Sequence, residues 1–277
     1  MNAESNRKTL IVASKGCPSL ELDEVWRARE LMWMFALRDI HIRYRQTVLG
    51  MAWAVIQPLM LMIVFAVMFG KVGKFPSENL PYPVFCFTGL LLWQYFVTSV
   101  TNCSNSLVNN PQLLTKVYFP RLVLPLANLI PPAVDMCVSI ILLVAMIVWN
   151  KVPLSPHLVY IPVFALLALL VTLGVSLWLS ALCVKYRDVK YLTPFLLMIW
   201  MYLTPVAYPL SMIPKHLKLL YSLNPMAWAV EGMRAALFGC GKVDILFVAA
   251  SFCSALVLTV SGAFYFRLME RSFAEKM

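Results

Sequence analysis

The chain has 277 residues, 61% of them hydrophobic and 13% charged, with a formal net charge of +10. The mean hydropathy is +0.77. That balance excludes a soluble globular enzyme and points to an all-α polytopic membrane protein. The cations do not indicate nucleic acid, because Lys and Arg are spread along the flanks of apolar segments instead of gathering in one basic patch with aromatics.

Residues 1–25 mix charges, Ser and Pro without helical periodicity and read as a cytoplasmic tail with no cleavable signal. Residues 26–47 follow as an amphipathic helix: Trp26, Trp33, Leu37, Ile40 and Tyr44 fall on one stripe, and Arg27, Glu30, Arg38, His41 and Arg45 on another. Aromatics on one face and arginines on the other fit a helix lying in the headgroup plane. Span 1, residues 48–69, carries no charge. At ~1.5 Å per residue it covers ~33 Å, about one bilayer core. Its Gln57-Pro58 step removes one backbone donor and frees the carbonyl of Ala54, so a kink is expected there.

Span 2 is read as residues 84–101, with a short helix beyond an Asn-rich stretch (Asn102, Asn105, Asn109, Asn110). Span 3, residues 122–149, carries Pro125, Pro131 and Pro132 in its first half, so that half should be irregular and the second regular. Span 4, residues 158–184, offers Gly174, Ser176 and Ser180 for close helix contact. Span 5, residues 191–208, is bracketed by Pro194, Pro205 and Pro209. The polar stretch that follows contains two segments with helical apolar spacing, MIPKHLKLLYSL and PMAWAVEGMRAALF, expected as two short outer helices. Span 6 is residues 245–266, and residues 267–277 form a second cytoplasmic tail. Of the Lys and Arg residues, 16 fall in segments assigned inside and 7 in segments assigned outside, the sign expected for six spans with both termini in the cytoplasm.

The seven cysteines form no CxxC pair, so neither a metal site nor a required disulfide is expected. His41, His157 and His216 stand alone near segment ends. Asp135 is the one acidic residue well inside a span, which leaves no carboxylate pair for acid and base chemistry in the membrane. It either serves a function there or satisfies backbone donors freed by the prolines before it. GKVGKF at 70–75 and GCGKV at 239–243 do not match the phosphate-binding GxxxxGK[ST] pattern. A pump built on this chain therefore needs a separate ATPase; the rival is an ion-coupled carrier or channel acting alone.

The stretches RDIHIRYRQTVLGMAWAVIQP, NNPQLLTKVYFPRLVLP, KYRDVKYLTPFLLMIWMYLTPVAYP and LNPMAWAVEGMRAALFG resemble the membrane subunits of ABC-2 type exporters of lipid-linked polysaccharides, notably the O-antigen export permeases, with relatives that export capsule and teichoic acid. The resemblance runs from residue 26 to the end and assigns residues 48–266 to the transmembrane domain. It implies a bacterial inner-membrane homodimer with two nucleotide-binding subunits that hold ATP and Mg, no cofactor on this chain, and a substrate on undecaprenyl pyrophosphate passing between protomers.

On that resemblance, an aromatic-lined path for sugar rings is expected from Trp93, Tyr95, Phe96, Trp200, Tyr202 and Tyr208, although aromatics at span ends also form interfacial belts. Arg38, Arg43, Arg45, Lys185 and Arg187 are placed to receive the lipid pyrophosphate, or simply anionic lipid. Leu113, Leu114, Lys116, Tyr118 and Phe119 resemble the face that couples to the ATPase, the alternative being a lipid-anchored loop. Glu231 and Arg234, three apart on one helix, fall by resemblance in the outer gate, with a plain surface ion pair as the alternative.

Overall fold

The computed structural model describes residues 22–45, 52–116, 119–214, 217–241 and 243–276, and among them every regular element is helical. The N-terminal tail through residue 21, the first residues of the expected span 1 and Tyr118 lie outside the described residues. Among the described residues, five helical stretches are long and apolar enough to cross a bilayer: Ala52–Val72, Tyr82–Ser106, Val123–Trp149, Pro156–Lys185 and Ile245–Glu270.

The N-terminal helix is two pieces, α1 (Leu22–Arg27) and α2 (Arg29–Arg45). Its inner face differs from the stripe the sequence suggests. Val25, Leu31, Met32 and Phe35 pack on a small core around Phe119, Leu122 and Val123, while Trp26, Trp33 and Leu37 stay exposed. Helix α3 (Ala52–Phe65) continues as a π turn over Ala66–Val72. The carbonyl of Ala54, deprived of its donor by Pro58, accepts from the hydroxyl of Ser139 at 3.1 Å. A hydroxyl from a neighbouring helix thus closes the gap a proline opens.

Helix α4 (Tyr82–Ser106) is the centre of the molecule, with three quarters of its apolar window buried. It runs five residues past the expected end of span 2, because its polar turns satisfy themselves: Ser104 and Asn105 donate to the carbonyl of Thr101, and Ser106 to that of Cys103. A short helix α5 (Pro111–Lys116) follows. Span 3 divides as its prolines require, into α6 (Val123–Ala127) and α7 (Ile130–Trp149).

Helix α8 (Ile161–Lys185), entered through a 3₁₀ turn at Pro156–Tyr160, packs along the last helix, α12 (Ile245–Lys276). The backbones come close where Gly174 meets Leu258 and Thr259; a Cβ on Gly174 would lie 2.8 Å from either. Trp178 stacks on Tyr265 with centroids 4.3 Å apart and donates to Ser261. Helix α12 passes beyond the expected end of span 6 through most of the expected tail.

The expected fifth span is shorter than drawn. Helix α9 (Val189–Leu203) has 15 residues, ~22 Å of rise against a core of ~30 Å. Thr204 leaves the helix with extended backbone, as the residue before a proline is biased to do. Beyond it come a 3₁₀ turn at Leu210–Met212, a short helix α10 (Lys218–Ser222) and α11 (Pro225–Phe238), which ends on Gly239 in the left-handed conformation. Of the two expected outer helices, the second has the drawn bounds and the first is reduced to about one turn.

Candidate functional site

The chain connectivity puts the 105–121 segment, the 185–188 turn and the C-terminal part of α12 at one end, the basic end. The 73–81 loop and α11 lie at the other. Contacts agree: the backbone N–H of Arg121 donates to Glu270 Oε1 at 3.2 Å at the basic end, and the Tyr82 hydroxyl donates to the carbonyl of Ala207 at 2.6 Å at the opposite one.

Between the basic end and the middle, Asp135 on α7 gathers two residues of α2. Arg43 Nη1 lies 2.5 Å from its Oδ2, and the Tyr44 hydroxyl donates to its Oδ1. Asp135 thus anchors the N-terminal helix, and side chains, not freed backbone donors, engage it. Beside it lies a cavity of about 30 Å³ whose wall includes Gln57, Gln94, Thr98 and Ser139, room for roughly two waters among polar groups.

Nearer the end of the molecule, a larger cavity of about 530 Å³ is lined by Arg38, Asp39, Asn102, Asn105, Asn109 and Asn110, with Asn128 across from them. Arg38 is held by Asp39, Nη2 to Oδ1 at 2.8 Å. The side-chain amides of Asn105, Asn110 and Asn128 donate to carbonyls one turn back at 2.8–2.9 Å, and Asn105 Oδ1 is buried with no hydrogen-bond partner. A set of carboxamides beside a guanidinium suits a neutral or anionic, hydroxyl-rich group. The asparagines are visible in the sequence, but only as a helix-ending stretch; Asn102 and Asn105 come onto one wall with Arg38 because α4 continues to Ser106.

At the opposite end Arg234 is a clasp. Its guanidinium donates to the carbonyls of Phe85 (3.1 Å), Pro205 (2.7 Å) and Val206 (2.5 Å) and lies 3.7 Å over the Phe85 ring. Glu231 Oε2 is 3.6 Å from Nη1. Both side chains are buried, 1% and 2% exposed, so the plain surface pair is ruled out. Burial pushes the Glu231 carboxyl above the usual carboxylate range against the pull of Arg234, and burial likewise lowers Arg234 from its ordinary value. Gly89 on α4 leaves the room: a Cβ there would be 2.5 Å from Arg234 Nη2.

The remaining expected residues are dispersed. Trp93, Tyr95 and Phe96 are buried in α4, where Phe96 meets Trp93 and, edge-on, Trp200. Trp200 donates its Nε1–H to Asn224 at 3.0 Å. Tyr202 is 58% exposed, and the Tyr208 hydroxyl is 3.1 Å from that of Tyr221. Of the expected cations, Arg38, Arg43 and Arg187 line three separate cavities, while Arg45 and Lys185 are exposed. Leu113 and Phe119 turn toward the core that carries α2; the side chains of Leu114 and Lys116 lie outside the described residues.

Residues 30–238 match the family model described as ABC-2 type transporter. Over 247 residues the chain is 30% identical to an O-antigen export system permease protein of Klebsiella pneumoniae, covering 89% of this chain and 94% of that protein. A protein of the same description from Myxococcus xanthus is 31% identical over 258 residues, 92% of this chain and 98% of the relative. A polysialic acid transport protein of Escherichia coli is 25% identical over 206 residues, 72% of this chain and 78% of the relative.

Proposed function

The chain belongs to the ABC-2 type transporter family, and from that premise we propose that it is the permease of a bacterial inner-membrane exporter that moves a lipid-linked polysaccharide, O-antigen, with ATP hydrolysed by a partner. The observation that carries this reading is the similarity to O-antigen export permeases along nearly the whole chain. Two copies of this chain and two ATPase subunits make up the working unit, with both termini in the cytoplasm. The broad apolar surfaces left exposed on α7, α9 and α12, with Ile141, Val148, Phe195, Met198 and Val257 among them, are consistent with lipid on one side and a second copy on the other.

In this reading α9 supplies the remaining crossing, the fifth in chain order, completed by the non-helical residues 204–208. The basic end faces the cytoplasm, where α5 and the strand of chain to Arg121 receive the ATPase stroke. Because Arg121 is tied to α12 at Glu270 and Phe119 to α2 through Phe35, a push there is transmitted to both. The lipid pyrophosphate enters beside Arg38 and the Asn-lined cavity, while Arg43 acts indirectly by holding α2 to Asp135. The glycan runs along α9, with Tyr202 in contact and Trp200 backed by Phe96 and Trp93. Helices α10 and α11 close the outer face, fixed by Arg234.

Deleting the gene in the source cells should remove the surface polysaccharide and leave lipid-linked polymer inside, both reversed by the wild-type gene. Unchanged surface polysaccharide in the deletion refutes the reading. A second reading, capsule export, is favoured by the polysialic acid transport relative; composition analysis of the polymer lost from the surface separates the two.

A further inference from the structure

At the end that carries Glu231, a cavity of about 760 Å³ lies between the loop after α3, the 3₁₀ turn, α11 and the entry to α12, with Glu78, Asn79, Ser211, Trp228, Glu231 and Asp244 on its wall. Its volume falls within the ~300–1,000 Å³ typical of small-molecule sites. The wall is rich in acceptors: carboxylates, a carboxamide and a hydroxyl. Glu78 Oε1 already accepts from Ser211 at 3.2 Å. A Cβ on Gly241 would sit 2.9 Å from Glu231 Oε1 and 3.5 Å from Glu78 Oε2, so the two carboxylates share one corner.

One side chain of this wall is buried and keeps a polar atom with no hydrogen-bond partner: Trp228, 1% exposed, at Nε1. Buried polar atoms are nearly always paired, and an unpaired one is costly, so an indole donor left open on a cavity wall is informative. Glu231, 2% exposed, has Arg234 as its ion partner and no hydrogen bond at Oε2. The two carboxylates that share one corner of this wall repel an anion, which disfavours a phosphate or a carboxylate as ligand. Among the described residues, no group of three His, Cys, Asp or Glu side chains could hold a metal ion. Several acceptors beside one indole donor suit a neutral, hydroxyl-rich ligand. Vicinal diols donate to carboxylates and carboxamides and accept from an indole N–H, and the ring of Phe247, stacked on Trp228 at 5.4 Å, adds an apolar wall of the kind that sugar C–H faces favour.

We propose that this cavity binds a single uncharged sugar unit, a site on each protomer that engages the polymer at the end opposite the basic one. The inference rests on the polysaccharide reading given above. The test uses the full chain in lipid nanodiscs prepared without glycoside detergent. The probe is the mixture of neutral sugars released by acid hydrolysis from the surface polysaccharide of the source cells, read by saturation-transfer NMR.

Transfer to at least one sugar is expected. It should fall at least fivefold in Trp228→Phe, which keeps the ring and removes the donor, and in Glu78→Gln, with each variant's unfolding temperature showing that it is folded. No transfer to any sugar from the folded wild-type chain, or equal transfer from both variants, overturns the proposal. Surface polysaccharide in complemented deletion cells is scored in parallel. A chain that restores it but binds no sugar ends this inference and leaves the functional reading standing; a chain that restores none ends the functional reading itself.

Discussion

Replacing Arg234 with Ala removes three hydrogen bonds from a cation to the carbonyls of Phe85, Pro205 and Val206 and strands Glu231 in a buried site. Bonds to charged groups contribute ~1.5–3 kcal/mol each, so the gross loss is ~5–9 kcal/mol. Part of this is offset because the guanidinium no longer has to be desolvated, and removing one member of a buried pair typically costs ~3–5 kcal/mol net. For a chain of this size that is a fall in unfolding temperature of roughly 10 °C. The assay is thermal unfolding of the purified chain in nanodiscs, combined with hydrogen exchange over residues 204–210. Arg234→Lys keeps the charge but not the planar fork and should recover less than half of the loss; Glu231→Gln in the Arg234→Ala background should recover some of it by removing the unpaired carboxyl. A midpoint within 1 °C of wild type for Arg234→Ala, or full recovery by Lys, refutes the clasp.

Glu231 also sets a pH dependence. Its carboxyl pKa is raised by burial against the pull of Arg234, so folding makes the group easier to protonate than it is in the unfolded chain. The stability it contributes is fully present below the unfolded carboxylate pKa of ~4.3 and is lost as pH rises through the folded value. Glu231→Gln should therefore flatten the slope of unfolding temperature against pH above ~4.3. Gly174→Val forces a side chain into the backbone of α12 and should cost at least ~1–3 kcal/mol by overpacking, checked by thermal unfolding; an unchanged midpoint would mean that α8 and α12 are not in close contact. Asp135→Ala should loosen α2, seen as faster exchange of the amides of residues 38–45. Adding Arg43→Ala should make the two losses less than additive by ~0.5–3 kcal/mol, and strict additivity would show that the pair is not coupled.

The helical class and the five long crossings were legible because uncharged runs of about twenty residues have few other solutions. The broken start of span 3 and the orphaned Ala54 carbonyl were legible too, since proline chemistry is local. What the sequence could not supply was pairing at a distance. That Ser139 answers Ala54, that Arg43 and Tyr44 answer Asp135, and that Arg234 binds the carbonyls of a segment 28 and 29 residues away all depend on which helices become neighbours. The aromatic expectation shows the same limit. Trp93, Tyr95 and Phe96 stand close together in the sequence, yet only the central position of α4 turns them into core. In the fifth span hydropathy continues through Val206 and Ala207, whereas the helix itself ends at Leu203, ahead of Pro205.

That early ending matters for the surrounding lipid. On its outer side α9 presents Phe195, Leu196, Ile199 and Leu203 over ~22 Å, some 8 Å less than a relaxed acyl layer, while Thr204 to Ala207 dip into the protein and leave nothing greasy to cover the deficit. Acyl chains beside this helix must compress or splay, at fractions of a kcal/mol per Å. The bilayer beside α9 is consequently expected to be locally thinner than its surroundings.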